Sequence, residues 1–228
     1  MDFGIFEKRI GQTFRNQKLL ETAFTHRSYI NENRAPGREH NERLEFLGDA
    51  VLELVVTEFL FAKYPENPEG DLTAYRAALV NTVSIADAAQ KLGMNDFLLL
   101  SRGESRDMGR ARSIILANAF EALLGALYLD QGYQAAKDFI GKQIFHKTDE
   151  VVEKNLWQDA KSKLQELAQD KSGVTPTYEV ASQSGPDHDR RFVIGVYIAG
   201  ERIALGEGKS KQEAEQDAAQ KALLVKGW

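Results

Sequence analysis

Cysteine is absent from this chain of 228 residues. Its absence excludes disulfides, thiolate metal sites and cysteine nucleophiles, and it fits a reducing compartment. The chain also lacks an uninterrupted apolar run of about 18 residues, the length that spans a membrane. Its first residues, MDFGIFEKRIGQTF, lack the basic, apolar and small-residue sections of a signal peptide. We therefore expect a cytoplasmic protein with no membrane span.

An excess of positive charge is lacking as well. The formal net charge is −5 at pH 7, and both parts of the chain are slightly acidic. Before Trp157 there are 19 Lys and Arg against 23 Asp and Glu, and from Trp157 onward there are 10 against 11. This balance argues against nucleic-acid binding through overall positive charge, but it leaves open binding through local basic patches.

Apolar residues recur at three- and four-residue spacing across residues 1–150, and no strand-like alternation occurs there. The segments that this spacing predicts as helical are IFEKRIGQTF, LLETAFTHRSYI, RLEFLGDAVLELVVTEFLFAKY, LTAYRAALVNTVSIADAAQKL and SIILANAFEALLGALYLD. Breaks are predicted at Ala35-Pro36-Gly37, at PENPEG and at Gly132. The pattern predicts an all-α domain over residues 1–152, followed by a linker at residues 153–156.

The pattern changes in the last third of the chain. A helical segment, DAKSKLQELAQDK, precedes the strand-like segments TPTYEVASQ and FVIGVYIAGERIALGEGKS, the second of which has a turn at Ala199-Gly200. The helical segment KQEAEQDAAQKALLV follows. Residues 157–226 are therefore predicted to form a small α+β domain with the order α-β-β-β-α.

The segment HNERLEFLGDAVLEL carries an unusual concentration of carboxylates. On a helical projection Glu42, Glu45, Asp49 and Glu53 lie within about 80° of one another, opposite the leucines and valines. Like charges at this spacing oppose helix formation, and no Lys or Arg occurs between Leu44 and Ala62. The ordinary interpretation of such a helix is an acidic face exposed to solvent. The apolar residues on either side of the acids and the internal glycine make this interpretation less favourable.

A second apolar segment, SIILANAFEALLGALYL, supplies a matching polar pair. Glu121 is its only charged residue, and Asn118 lies one turn earlier on the same side. A buried carboxylate needs a partner or a proton. If this helix crosses the acidic helix, oxygen ligands from two rigid helices converge. Oxygen is the donor type that Mg²⁺ or Mn²⁺ prefers.

HNERLEFLGDAVLEL closely resembles the signature segment of the bacterial ribonuclease III family. The resemblance continues, in the family's order, through TAFTHRSY, PEGDLTAYRAALV, LSRGESR and SIILANAFEALLGALYLDQGY. Residues 157–226 resemble the double-stranded-RNA-binding domain of that family, so that the resemblance covers essentially the whole chain.

The resemblance implies an endonuclease that cuts both strands of duplex RNA, leaving 5′-phosphate and 3′-hydroxyl ends, in the processing of rRNA and other structured precursors. It implies a homodimer with one active centre per subunit, Mg²⁺ as cofactor with Mn²⁺ able to substitute, and no organic cofactor. Glu45, Asp49 and Glu121 match the family's metal-ligating acids, and Glu42 and Glu69 match further acids that line the cleavage region.

One position departs from the family pattern. The usual ILAD reads ILAN, so that Asn118 stands where an aspartate ligand is expected. An amide oxygen can still coordinate Mg²⁺ or order a water, but one negative charge is lost and metal affinity should fall. The catalytic and metal-binding set is thus Glu45, Asp49, Asn118 and Glu121, with one or two ions and no covalent nucleophile.

The second domain offers candidate RNA contacts. Duplex RNA is recognised mainly through its shape, its 2′-hydroxyls and its phosphates. The candidate residues are Gln165 and Gln169 on the first helix, His188 in the loop SGPDHDRR, and Lys209, Ser210 and Lys211 before the last helix. Taken alone, the glutamines are ordinary surface residues, and Gln212 replaces a position that is commonly basic in the family.

Three functional hypotheses remain from the sequence. The favoured one is a metal-dependent endoribonuclease specific for double strands. The second is a protein that binds duplex RNA but whose nuclease centre is weakened by Asn118. The third is a helical metal-binding protein or small-molecule phosphohydrolase with an unrelated appended domain, which would draw no evident benefit from residues 157–226.

Overall fold

The computed structural model describes residues 1–33, 36–106, 109–154, 157, 159–186 and 190–228. The chain divides into two compact units, Met1–Trp157 and Gln158–Trp228. The fold class expected from the sequence, an all-α part followed by a small α+β part, is confirmed. The exact limits of the linker stay a prediction, and Asn155 and Leu156 within it lie outside the described residues.

The described part of the first unit consists of helices and connecting turns. Its α-helices are α1 (Phe3–Ile10), α2 (Gln17–Ala23), α3 (Arg27–Glu32), α4 (Glu42–Lys63), α5 (Glu69–Leu79), α6 (Thr82–Lys91), α7 (Arg110–Gln131), α8 (Tyr133–Ile144) and α9 (Thr148–Glu153). Short 3₁₀ helices cover Met94–Phe97, Glu104–Arg106 and Phe145–Lys147. The only strand-like pairing in this part is an isolated bridge between Thr25 and Leu99.

Two predicted helices are each divided in the structure. LLETAFTHRSYI becomes α2 and α3, because the backbone between them pairs with Leu99 and the His26 side chain caps α3 by accepting from the Ser28 N–H. LTAYRAALVNTVSIADAAQKL becomes α5 and α6, and Asn81 caps α6 by accepting from the Ser84 N–H at 2.9 Å. Side-chain caps of this kind satisfy the free N–H groups of a helix start and thereby fix its position.

Helix α7 lies at the centre of the first unit. Most of its apolar side chains are buried, including Phe120, Leu123 and Leu124. Of the described helices, only α7 is long and apolar enough to span a membrane, and 61% of that window is buried inside the fold. Burial around the whole circumference is the pattern of a central core helix.

Helix α4 packs on α7 with the apolar face that the projection predicts. Leu44, Val51 and Val55 are buried in the shared core, and the charged residues of the projection lie on other sides of the helix. The acidic face of α4 is therefore held at a fixed rotation relative to α7.

The second unit contains α10 (Ala160–Ser172), β1 (Thr177–Ser184), β2 (Arg191–Ile198), β3 (Glu201–Gly208) and α11 (Lys211–Lys226). The strands form an antiparallel sheet in the order β1-β2-β3. The predicted turn is present, with φ values of 52° at Ala199 and 82° at Gly200. Helices α10 and α11 bury Leu164, Val196 and Ala218 between themselves and the sheet. His188, in the loop before β2, lies outside the described residues.

Candidate active site

The site is built where α4 and α7 touch through glycines. A Cβ atom at Gly48 would lie 1.7 Å from the carbonyl oxygen of Glu121, and one at Gly125 would lie 2.2 Å from the carbonyl oxygen of Leu44. Only hydrogen at both positions lets the two backbones approach so closely. The contact sets the Glu45–Asp49 turn of α4 directly against the Glu121 turn of α7.

Four of the predicted site residues lie at this crossing. Glu45 and Glu121 are half-buried, whereas Asp49 is exposed. Asn118 acts as a side-chain hydrogen-bond donor to the Glu45 carboxylate. The carboxylates of Glu45 and Asp49 both act electrostatically on Glu121. The crossing of the two helices is therefore present, and the assignment of these four residues to one metal site stays a prediction.

Burial and mutual repulsion change the acidity of these groups. Burial, followed by the Asp49 and Glu45 carboxylates, raises the pKa of Glu121 from 4.5 to about 7. Burial and the neighbouring Glu42 carboxylate also raise the pKa of Glu45, while the hydrogen bond from Asn118 opposes the rise. In the metal-free protein the site therefore holds unfavourable negative charge near neutral pH, which a proton or a cation relieves.

The other two acids of the α4 face have basic partners from other elements. Glu42 lies 3.2 Å from the Arg27 guanidinium and 3.7 Å from the His40 ring nitrogen Nδ1. Glu53 lies 2.7 Å from the Arg76 guanidinium. The expectation that all four carboxylates form one uncompensated face is therefore wrong for Glu42 and Glu53, because the compensating charges come from α3 and α5. Within the described residues, Glu45 and Asp49 form no ion pair.

Glu69 does not join the other acids within one chain. It begins α5 and accepts a hydrogen bond from the Thr73 hydroxyl at 2.9 Å. It lines a separate cavity of about 390 Å³ together with Phe61 and Arg76, and it is not among the groups that act on Glu45 or Glu121.

The donor set at the crossing fits a hard divalent cation in its chemistry. Across the described ranges, no three Asp, Glu, His or Cys side chains converge closely enough to enclose a metal ion. Glu45, Asp49 and Glu121 are already three carboxylates, so their side chains as placed lie too far apart to enclose an ion. The Asp49 side chain is exposed and would have to turn inward for the three to do so. Glu45, Asp49, Asn118 and Glu121 could hold Mg²⁺, which binds oxygen ligands and usually keeps several waters.

The candidate RNA-binding residues of the second unit lie on its surface. Gln165 and Gln169 are exposed one turn apart on α10. Lys209, Ser210 and Lys211 are exposed where α11 begins. Ser210 caps α11 by accepting from the Glu213 N–H at 3.1 Å, and Glu213 accepts from the Lys209 N–H at 2.8 Å. These hydrogen bonds hold both lysines at a defined helix start.

Comparisons with known proteins agree with this architecture. Residues 16–148 match the family model described as ribonuclease-III-like, and residues 160–226 match the double-stranded RNA binding motif. Ribonuclease 3 of Enterococcus faecalis is 50% identical over 95% of this chain and 94% of its own length. Ribonuclease 3 of Bacillus licheniformis is 48% identical over 97% of this chain and 88% of its own length. The chain belongs to the ribonuclease III family.

A solved structure of the same family shares the first unit. The nuclease domain of ribonuclease III from Campylobacter jejuni is 41% identical, with a TM-score of 0.56 over 62% of this chain and 98% of that chain. That structure is described as showing flexibility in the region involved in dimer formation of the nuclease domain. The first unit is thus the ribonuclease III nuclease domain, and the second is the RNA-binding domain of the family.

Several residues that shape the site were not found from the sequence. Gly125 gave no signal beyond an ordinary glycine in an apolar helix, although it forms half of the helix contact. Arg27 and Arg76 lie 15 and 23 residues from the acids that they neutralise. Phe46 is 81% exposed although it stands inside the apolar signature segment.

Proposed function

We propose that this ribonuclease III family protein is a divalent-metal-dependent endoribonuclease that hydrolyses phosphodiester bonds in both strands of duplex RNA. The products would carry 5′-phosphate and 3′-hydroxyl ends. The observation that carries the proposal is that Glu45, Asp49, Asn118 and Glu121 all lie at one helix crossing, in a chain that also has a double-stranded RNA binding motif.

Mg²⁺, with Mn²⁺ as a substitute, is the cofactor that we propose for these four residues. Such an ion supplies an activated water, neutralises charge on the phosphate and assists the departing oxygen. Glu45 and Glu121 would be held in place by the rigid backbone contact of α4 with α7. The Glu121 carboxyl, with a pKa of about 7, would release its proton when a cation binds.

Asn118 has a more limited part in this proposal. Its amide donates to Glu45 and so orients that carboxylate, while its oxygen remains able to accept or to coordinate. With Asn118 the site would therefore still work, with one negative charge fewer. The replacement of aspartate by Asn118 is not by itself enough to favour the alternative of a protein that only binds RNA.

Glu42 and Glu69 would act at the edges of the cleavage region. Glu42 is oriented by Arg27 and His40 on the N-terminal turn of α4. Glu69 does not act electrostatically on Glu45 or Glu121 of its own chain, and we propose that it serves the cleavage region of a second subunit. The RNA itself would be held by Gln165, Gln169, Lys209, Ser210 and Lys211, with His188 as a further candidate.

We also propose that the protein is a homodimer. Phe46, Leu54 and Phe61 are 81%, 52% and 73% exposed and follow one side of α4. A cavity of about 720 Å³ adjoins Phe46 and is lined by Leu19, Leu47 and Leu129. Exposed aromatic residues beside an apolar cavity are typical of an association surface. Two subunits would provide the two sites that double-strand cleavage needs.

The cellular role that we propose is the processing of rRNA and other structured RNA precursors in the cytoplasm. This role follows from family membership and from duplex RNA as the substrate.

Incubation with a long duplex RNA tests the proposed function. We expect fragments in Mg²⁺ and none in chelator, and Glu45→Gln should reduce the rate about 100-fold or more. Glu53→Gln is the matched control, because Glu53 lies on the same helix but is neutralised by Arg76. An intact duplex that is bound but not cut in Mg²⁺ would support the RNA-binding alternative instead.

A further inference from the structure

His26 lies where separate segments of the nuclease domain meet. Its backbone N–H donates to the carbonyl oxygen of Leu99 at 3.1 Å, and its half-buried ring stands at the start of α3. The ring nitrogen Nδ1 lies 2.8 Å from the Ser28 hydroxyl oxygen and 3.3 Å from the Ser28 backbone nitrogen. The metal site proposed above makes no use of this ring, although a titratable group is held there by two polar contacts.

The hydrogen bonds around Ser28 fix the protonation state of His26. The Ser28 N–H can only donate, so Nδ1 accepts from it and carries no proton. The Ser28 hydroxyl therefore donates its proton to Nδ1, and its oxygen accepts from the Ser101 N–H at 3.1 Å. These bonds require a neutral ring with its proton on Nε2. We call the chain of hydrogen bonds from the Ser101 N–H through Ser28 to His26 the latch.

The latch attaches the segment Ser101–Arg106 to the start of α3. A second bond attaches the segment to the end of the same helix, where the Arg102 N–H donates to the Glu32 carboxylate at 3.1 Å. The latch is thus one of two hydrogen bonds that hold this segment on α3. Because the bonded groups are half-buried or backbone groups, the loss of either bond would free part of the segment.

The start of α3 also carries the basic partner of Glu42. Arg27 follows His26 directly, and its guanidinium lies 3.2 Å from the Glu42 carboxylate on the first turn of α4. A side-chain cap that fixes the first turn of α3 therefore also fixes the backbone from which Arg27 extends. Through Arg27, the His26 ring acts on an acid that we propose for the edge of the cleavage region.

Four charged or titratable groups face the ring. They are Glu104 from a 3₁₀ helix, Arg27 from α3, Glu42 from α4, and His40 just before α4. Burial is the main cause that lowers the pKa of His26 from 6.5; Glu104 and Glu42 oppose this shift, whereas Arg27 and His40 add to it. The ring is therefore neutral at neutral pH, as the latch requires. A protonated ring would lose its acceptor nitrogen and would be attracted by the two carboxylates.

We propose that His26 is a positioning residue whose neutral ring keeps the latch closed and whose protonation opens it. Protonation of Nδ1 removes both hydrogen bonds to this nitrogen, so that the segment Ser101–Arg106 loses its attachment to the start of α3. The same event removes the cap that fixes Arg27 against Glu42. The effect on RNA cleavage rests on the proposed function, but the latch itself does not.

Amide hydrogen exchange in the full-length, metal-free protein tests the latch. NMR gives the protection factor of the Ser101 amide, which corrects for the intrinsic pH dependence of exchange, between about pH 7.5 and about pH 5. We expect this factor to fall about tenfold in step with protonation of His26, because one hydrogen bond is lost. Imidazole ¹⁵N spectra of the same samples report the tautomer, which should be the Nε2–H form at neutral pH.

Two substitutions at His26 separate hydrogen-bond acceptance from protonation. His26→Asn supplies an amide oxygen in place of Nδ1, and asparagine is a favoured helix cap that does not titrate. This variant should keep the protection of the Ser101 amide and lose its dependence on pH. His26→Ala and Ser28→Ala should reduce the protection at every pH. His146→Asn, at an exposed histidine of the same domain, is the matched control and should behave like the parent.

Cleavage of duplex RNA in Mg²⁺ supplies the readout for positioning. The rate of His26→Asn divided by that of the parent should be close to one at neutral pH. It should rise several-fold as pH falls, because only the latch of the parent opens. Glu121 titrates in both proteins, so its effect cancels from the ratio.

Three results would overturn the latch. They are a parent ring with its proton on Nδ1 at neutral pH, a ring that stays neutral throughout the pH range, and a protection of the Ser101 amide that does not follow the ring. Because exchange is measured without metal or RNA, a latch that opens in a protein that never cuts RNA would stand alone. Cleavage with a rate ratio that stays constant with pH would sustain the nuclease function and remove the positioning role of His26.

Discussion

Gly48 lies directly against the backbone carbonyl of Glu121, so closely that a Cβ atom would stand 1.7 Å from its oxygen. This contact explains why a glycine stands in the middle of a 22-residue helix, although glycine there makes helix formation about 1 kcal/mol less favourable than alanine does. It joins the helix that carries Glu45 and Asp49 to the helix that carries Glu121.

Gly48→Ala should therefore separate the two helices. We expect a loss of about 3 kcal/mol in the free energy of unfolding, because the methyl group meets backbone that cannot rotate away. RNA cleavage should fall with it. Thermal and denaturant unfolding measure the effect. Gly70→Ala is the control, since a Cβ there has nothing within 4 Å, and it should leave stability unchanged or slightly higher. Equal stability of both variants would contradict the close approach.

Glu121→Gln should stabilise the metal-free protein at neutral pH while it abolishes cleavage. The pKa of Glu121 is about 7 in the folded protein against 4.5 ordinarily, so that the folded state binds the extra proton between these values. The free energy of unfolding should therefore decrease as pH rises from about 4.5 to about 7 and then level off. The variant should be more stable at pH 8 by about 1–2 kcal/mol, allowing for solvent screening.

Denaturant unfolding at several pH values, in chelator, measures this difference. Glu66→Gln, a change at an exposed glutamate, is the control. The advantage of Glu121→Gln should shrink towards pH 5, where the native carboxyl is already neutral. An advantage that stays constant with pH would show that the carboxyl does not titrate in this range.

Asn118→Asp should tighten metal binding, because it restores a carboxylate that faces Glu45. We expect the Mg²⁺ concentration for half-maximal cleavage to fall about three- to tenfold. The same change adds repulsion in chelator, so that the metal-free protein should become less stable and gain more stability on Mg²⁺ addition. A metal dependence identical to that of the parent would remove Asn118 from the site.

Phe46→Glu should dissociate the proposed homodimer. Removal of a central aromatic anchor typically costs about 2–4 kcal/mol of association, and a charge in the apolar cavity adds to that cost. Sedimentation at micromolar concentration should show monomers for this variant and dimers for the parent. Val83→Glu, at a residue that is 78% exposed on α6, is the matched control and should remain dimeric. A parent protein that sediments as a monomer would contradict the proposed assembly.

The acidic helix shows how far local pattern predicts this fold. The 3.6-residue period correctly indicates that Leu44, Val51 and Val55 are buried and that Glu45 and Asp49 share another face. It also indicates that Asn118 and Glu121 point to one spot, because both lie on one side of α7. These features depend on residues within one or two helical turns, and the helical period fixes the relative directions of their side chains.

The features that the sequence did not predict depend on contacts between distant segments. The bridge between Thr25 and Leu99 divides a continuous helical pattern, and its partner lies 74 residues away. Arg76 removes Glu53 from the uncompensated set through a contact between two helices. Helix α8 carries the expected spacing at Ala136, Phe139 and Ile140, yet its many polar residues weakened the signal. Tertiary packing decides the bridge and the Arg76 contact, and the local pattern does not contain it, whereas α8 was missed because its local signal is weak.

The position of a divalent ion in crystals soaked with manganese tests the central claim most directly. We predict anomalous density between α4 and α7, with ligand oxygens from both Glu45 and Glu121. Crystals in which these two carboxylates face apart, with no ion between them at saturating manganese, would contradict the proposed metal centre even if the second domain still bound RNA.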